Sequence, residues 1–280
     1  MSLVQVRYIS PSGETVDFQV APIKIKDANF HNWAYKVEEQ ALKIGVKPTR
    51  IYKDPVTYST KLYMNGSPDS RRRGLEWLHT VFERDVRAMT PGKLIYNNWW
   101  IKCFVLVSNS YPHEDGKPTA VNELEFYCPY PYWIKEETYT YNAVTVAAST
   151  FLDYTYDYQY DYMKNAVEVD TINNEGTGSA PMIIRFYGSA ENPFIRIAGK
   201  DYLVNYTINP GDVIEINQLD KTVTLTRADG SVFNMFDYRQ KYEDHSVFDP
   251  VPTGVQAVEW GGSYKATVTL LHERSEPGWS

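Results

Sequence analysis

Pro68-Asp-Ser-Arg-Arg-Arg-Gly-Leu-Glu-Trp-Leu-His-Thr-Val-Phe-Glu-Arg-Asp-Val-Arg-Ala-Met-Thr-Pro-Gly92, followed by Lys93-Leu-Ile-Tyr-Asn-Asn-Trp-Trp-Ile-Lys-Cys-Phe-Val-Leu-Val107, is the stretch on which the fold turns. In its first part Leu75, Leu78, Phe82, Val86 and Met89 recur at three- and four-residue steps, the period of a helix with one apolar face. Asp69 is expected to cap its N-terminus. Thr90-Pro91-Gly92 is expected to end it, because proline cannot continue a helix and glycine releases the chain. The second part reads as a hairpin, with β-rich runs Leu94–Tyr96 and Trp99–Val107 around Asn97-Asn98, residues that tolerate positive φ. One amphipathic helix between strands predicts a sheet with a helix laid on its face, an α+β arrangement for the first half of the chain.

Arg71, Arg72 and Arg73 fall in the first helical turn, where the helix dipole disfavours cations by a few tenths to about 1 kcal/mol. They are either a solvated face, with Arg72 pairing Glu76 at i,i+4, or a contact surface for an acidic neighbour on another chain. Outward from this stretch, Val4–Ile9 and Thr15–Val20 form an opening hairpin turned at Ser12-Gly13. Residues 32–45 fit both a helix (Trp33, Val37, Ala41, Ile44) and a strand (Trp33, Tyr35, Val37), and the β-rich flanks favour strand. Val56–Met64 and Val121–Cys128 are further strands. The polar run 108–119, with Pro112, Gly116 and Pro118, is expected to be an exposed loop that contacts partners, with Tyr111 and His113 as its candidate residues. Prolines 129 and 131 fix extended backbone that closes the first domain near residue 137.

Residues 138–165 read as a connecting segment, in which Tyr154, Tyr156, Tyr158, Tyr160 and Tyr162 alternate with polar residues. Extended, this segment would align its rings on one face, to pack on a domain wall or neighbouring subunit or to stack on sugars. From 166 to 280 the chain is short strand and turn. Eight candidates are separated by turn residues such as Gly199-Lys200, Asn209-Pro-Gly-Asp212, Asp229-Gly230 and Gly261-Gly262. Their regular spacing predicts a β-sandwich of jelly-roll type. The chain is therefore expected to be mainly β, an α+β domain (1–137) followed by a connecting strand and a sandwich (166–280).

Composition narrows the function. Residues 1–137 carry 18 Lys+Arg against 16 Asp+Glu, a balance of +2; residues 138–280 carry 10 against 19, a balance of −9. An acidic half argues against nucleic acid, whose binding depends on neutralising phosphates. The opening Met1-Ser-Leu-Val-Gln-Val-Arg lacks the pattern of a secretion signal, and no run approaches the roughly 18 apolar residues of a membrane span, so neither a membrane nor export is expected. Cys103 and Cys128 read as buried thiols of a protein made in a reducing compartment. The five histidines are scattered without metal-ligand spacing. No nucleophile elbow or phosphate-binding glycine loop is present, so neither a cofactor nor an enzyme activity is expected.

The ordered set Leu75-Glu-Trp-Leu-His with Phe82-Glu-Arg-Asp-Val, Pro91-Gly-Lys-Leu-Ile-Tyr, Trp100-Ile-Lys-Cys-Phe-Val, Pro129-Tyr-Pro-Tyr-Trp-Ile, Ile197-Ala-Gly-Lys-Asp-Tyr, Pro210-Gly-Asp-Val-Ile-Glu-Ile and Trp260-Gly-Gly-Ser-Tyr-Lys-Ala-Thr-Val resembles the distal tail proteins of long-tailed siphophages and prophages. The resemblance implies a structural protein of the virion tail tip, assembled in the bacterial cytoplasm. It implies a hexameric ring of N-terminal domains beneath the tail tube, with galectin-like C-terminal sandwiches projecting outward. The partners it implies are further copies of the chain, the tail tube and tape measure proteins, a tail-associated fibre or lysin, and receptor-binding proteins. The alternative is a carbohydrate-binding adhesion module on the same sandwich. Galectins, however, use a His-x-Asn-x-Arg set, and His245 here is followed by Ser246, Val247 and Phe248.

Overall fold

A computed structural model describes residues 4–110, 119–143 and 168–279. The chain forms two compact units, one of residues Met1–Lys135 with Glu273–Ser280, the other of Glu136–His272. The final eight residues thus belong with the first unit.

The first unit contains β1 (Val6–Ile9), β2 (Thr15–Asp17), β3 (Ile23–Lys26), β4 (Lys36–Ala41), β5 (Val46–Tyr52), β6 (Val56–Asn65), α1 (Pro68–Arg87), β7 (Gly92–Tyr96), β8 (Trp99–Ser110), β9 (Thr119–Cys128) and the start of β10 (Trp133–Tyr141). β2-β1-β7-β8 is one antiparallel run, and β3-β6-β9-β8 another. β8 serves both: Trp99–Cys103 pair with β7, Phe104–Ser110 pair with β9, and Leu106 is the extra residue of a bulge. The β7–β8 turn is the expected Asn97-Asn98, with Asn97 at φ 56° and its side-chain oxygen accepting from the Gln5 amide at 3.0 Å. Alternation sets the core. In β6 Tyr58, Thr60, Leu62 and Met64 point inward, and in β9 Asn122, Leu124, Phe126 and Cys128 do. Cys103 and Cys128 are free and buried, and burial beside the Cys128 thiol pushes the Cys103 thiol well up.

α1 lies against these strands, with two departures from the expected helix. Its cap is Ser67, whose side chain accepts from the Ser70 amide at 3.3 Å; Pro68 takes the first turn, where its missing N–H leaves nothing unsatisfied, and Asp69 sits inside the helix. Met89, expected on the apolar stripe, lies beyond the last turn at φ 52° and is exposed, while the buried face is Arg71, Leu78, Val81, Phe82 and Asp85. Asp85 fixes the helix on β1. Its carboxylate accepts from the Tyr8 hydroxyl at 2.7 Å and from Ser10 Oγ at 2.8 Å, and all three residues are buried. Tyr8 crosses Gly92 so closely that a Cβ there would stand 2.3 Å from its ring, and its edge meets Phe82 at 5.3 Å between centroids. Burial and the adjacent carboxylate push the Tyr8 hydroxyl pKa far up, so it stays a donor.

The second unit contains the remainder of β10 and β11 (Glu168–Asn174), β12 (Met182–Tyr187), β13 (Ala190–Glu191), β14 (Phe194–Ile197), β15 (Lys200–Leu203), β16 (Thr207–Ile208), β17 (Val213–Asn217), β18 (Thr222–Thr226), β19 (Val232–Asn234), β20 (Gly254–Trp260) and β21 (Lys265–Arg274), whose last two residues lie in the first unit. Two antiparallel sheets, β19-β18-β17-β12-β21 and β11-β20-β14-β15, share one core that includes Ile184, Phe186, Ile195, Ile216, Val258 and Val268. The expected strands are present, and three short ones, β13, β16 and β19, join them. Asn209-Pro-Gly-Asp212 turns as its residues dictate, with Gly211 at φ 87° and the Asp212 amide donating to the Asn209 carbonyl at 3.1 Å. Buried side-chain amides tie the loops to the sheets. Asn174 donates to the carbonyls of Gly178, Val251 and Pro252, and Gln218 to those of Val247 and Asp249.

Asp85→Ala leaves two buried hydroxyls without their shared acceptor, and is expected to destabilise the first unit by about 2–4 kcal/mol. A chemical-denaturation midpoint that moves by less than the equivalent of 1 kcal/mol would show that α1 is held by packing alone.

Candidate functional site

The arm formed by β4 and β5 stands apart from both core sheets of its unit. These strands pair only with each other, and every residue in them is exposed except Tyr52, which is half-buried. The register puts Val37 opposite Ile51, Glu39 opposite Pro48 and Ala41 opposite Val46, while Lys36 faces Tyr52, Glu38 faces Arg50 and Gln40 faces Lys47. Side chains opposite one another share a face. One face of the arm is therefore largely apolar (Val37, Ala41, Val46, Pro48, Ile51), and the other is charged. Thr49 is the extra residue of a bulge between these pairs, and its hydroxyl donates to the Glu38 carbonyl at 3.0 Å. The tip is Leu42-Lys43-Ile44-Gly45, with Gly45 at φ 79° and the Leu42 amide donating to the Gly45 carbonyl at 3.0 Å. Ile44 is 90% exposed, the most exposed large apolar side chain among the described residues. An isolated two-stranded hairpin is marginal in water, and its unpaired edges invite another chain.

At the arm's root is a cleft of about 170 Å³, lined by Trp33, Ala34, Pro55, Val56 and Tyr58 and by the polar Asn32, Lys36, Lys53 and Asp54. Lys36 and Asp54 form an ion pair. The Lys53 ammonium donates to the Pro131 carbonyl at 2.7 Å and lies 4.6 Å from the Tyr132 ring centre and 5.6 Å from that of Tyr35. Partial burial holds the Lys53 pKa below the ordinary lysine value. The chain's last residues brace this root. Ser275 Oγ is 3.1 Å from the Tyr35 hydroxyl, Glu276 is 3.6 Å from His31 Nδ1, and Trp279 stacks on His31 with ring centres 3.8 Å apart.

The structure does not gather the arginine run into one patch. Arg71 is 4% exposed and turned into the core side of α1, whereas Arg72 and Arg73 are exposed. Arg72 pairs with Asp69 at 3.7 Å rather than with Glu76, and Arg73 Nε donates to the Asp69 carbonyl at 3.4 Å. Tyr111 and His113 lie outside the described residues, as does the tyrosine-rich stretch 154–162. In the second unit the His245 ring is engaged, stacked on Tyr242 with centres 4.1 Å apart and bonded to Asp244 at 2.7 Å. Among the described residues no group of three or more His, Cys, Asp or Glu is placed to hold a metal ion, and no helix is long and apolar enough to cross a membrane.

No protein-family model matches the sequence, and no curated protein matches it. Solved structures do match the fold. The crystal structure of the Dit protein of phage SPP1, described as a paradigm of the hub adsorption apparatus in phages infecting Gram-positive bacteria, aligns over 96% of this chain and 99% of its own length, with a TM-score of 0.58 and 12% identity. A chain of the phage P2 baseplate, in its activated conformation with Ca, aligns over 98% and 100% with a TM-score of 0.68 and 12% identity. The same baseplate with Sr gives 99% and 100%, a TM-score of 0.66 and 13% identity. Over 96–99% of its length this chain is similar in fold to these hub and baseplate chains.

The Lys53 shift has a measurable consequence. Its protonated form is disfavoured in the fold, so that penalty is present at neutral pH and disappears as pH rises through the lowered folded value toward the ordinary lysine value of about 10.4. Wild type is expected to gain stability relative to Lys53→Met across that window, read as the difference in thermal midpoint between the two proteins. Parallel pH profiles would mean that the ammonium is as well solvated as in the unfolded chain.

Proposed function

We propose that this chain is the structural hub of the tail tip of a long-tailed phage. Copies join head to tail into a ring, six to a turn, between the tail tube and the host-recognition components. The observation that carries this reading is the alignment of both units, in order and over 96–99% of the chain, with hub and baseplate chains. A match of one sandwich alone would say little, since that architecture serves many functions. The uncovered arm supports the same reading, because a head-to-tail contact needs a projecting surface on one copy and a different, receiving surface on the next.

In this reading the first unit forms the ring. The second, a galectin-like sandwich, projects from it toward a tail-associated fibre or lysin and receptor-binding proteins, while the tube and tape measure proteins meet the ring's opposite side. The protein is then a non-enzymatic component of the virion tail tip, made and assembled in the bacterial cytoplasm. His245, already committed to Tyr242 and Asp244, gives the sugar-binding alternative no support.

Native mass spectrometry or light scattering over a range of concentrations, with negative-stain images of the largest species, tests the ring. Six copies of a 32.3 kDa chain, or a multiple of six, around a central hole are expected. A closed dimer whose two subunits contribute identical surfaces would contradict it.

A further inference from the structure

The arm tip and the cleft at the arm's own root match in size and chemistry. We propose that they are the two halves of one contact between copies, in which Ile44 of one copy seats in the root cleft of the next. This rests on the hub reading and names the residues through which the ring would close.

Size supports the pairing. An apolar cavity of about 150 Å³ holds a benzene molecule, so a cleft of about 170 Å³ accepts the four-carbon side chain of isoleucine. Chemistry supports it too, because Leu42, Ile44 and Val46 crown the tip, and Trp33, Ala34, Pro55 and Val56 line the cleft. Lys43 flanks Ile44, and the Lys36–Asp54 ion pair stands at the cleft's polar side. The arm as a whole carries Lys36, Lys43, Lys47 and Arg50 against Glu38 and Glu39, a balance of +2 that equals the whole balance of residues 1–137. Arm and root together span residues 32–56, within the roughly 20–30 residues a side of a standard interface.

Length makes the contact intermolecular. Six residues of β4 at about 3.4 Å each hold the tip about 20 Å from the root, so no copy can fill its own cleft. Tip and cleft are also different surfaces. Their contact leaves a free tip at one end and a free cleft at the other, and repetition by rotation closes a ring.

Two exposed substitutions test this, Ile44→Asp at the tip and Ala34→Glu in the cleft, with unchanged circular dichroism and thermal midpoint as the check on folding. Each variant alone is expected to lose all species larger than the monomer, and Ile44→Leu to keep them. An equimolar mixture of Ile44→Asp and Ala34→Glu is expected to form a species of twice the monomer mass and nothing larger, because one sound tip meets one sound cleft and the remaining pair sets two like charges against each other. The proposal is overturned if either variant assembles as wild type does, if the mixture stays monomeric, or if wild type itself stays monomeric at every concentration. A wild-type ring indifferent to Ile44→Asp would remove this contact and leave the hub reading standing.

Discussion

An antiparallel sheet with one apolar face has to cover that face, and most of this structure follows from how the requirement is met. In the second unit each sheet covers the other. In the first unit the inward residues of β1, β6, β7, β8 and β9 share a core with Leu78, Val81 and Phe82 of α1. The arm is the exception. Its apolar face alternates along both strands, interrupted by Glu39 and the bulge at Thr49, yet the face carrying Val37, Val46 and Ile51 meets no core element among the described residues. The conflict between a strand pattern that demands a partner and a position that offers none is the feature to which the proposed ring contact is assigned.

The covered parts are held by a mixture of packing and a few buried polar contacts. Asp85 is the strongest case, a carboxylate 3% exposed on the core side of a helix, satisfied by Tyr8 of β1 and by Ser10 just after that strand. Such a group contributes direction more than net energy, since removing either partner is costly while the intact set is close to balanced. It ties α1 to β1 and to the residue that follows it. Around the arm root, the tail residues 273–279 and the Lys53 contacts hold a stiff base from which a projecting hairpin can act.

Period and alternation made much of this legible in the sequence. α1, the β7–β8 hairpin with its Asn97 turn, and the longer strands of the second unit follow from residue spacing and turn chemistry. β5 was obscured by Pro48, which argues against a central strand but is tolerated at an exposed edge. The Ser67 cap was hidden by Asp69, a good capping residue two positions later. Arg71 read as part of a solvated face or a contact surface, and only packing reveals it, and Asp85 further along the helix, as buried. The arm's exposure had no sequence signature at all, because a strand face to be covered by the same chain and one to be covered by another copy are written with the same residues.

The central claim, that this chain is a tail-tip hub, concerns a place in a particle, and the direct measurement is to find it there. Gold-labelled antibody against the purified chain, applied to intact phage particles whose genome encodes it, is predicted to mark the end of the tail distal to the head, one cluster per particle. Label along the tail shaft, on the head, or on free protein with none on particles would contradict the account.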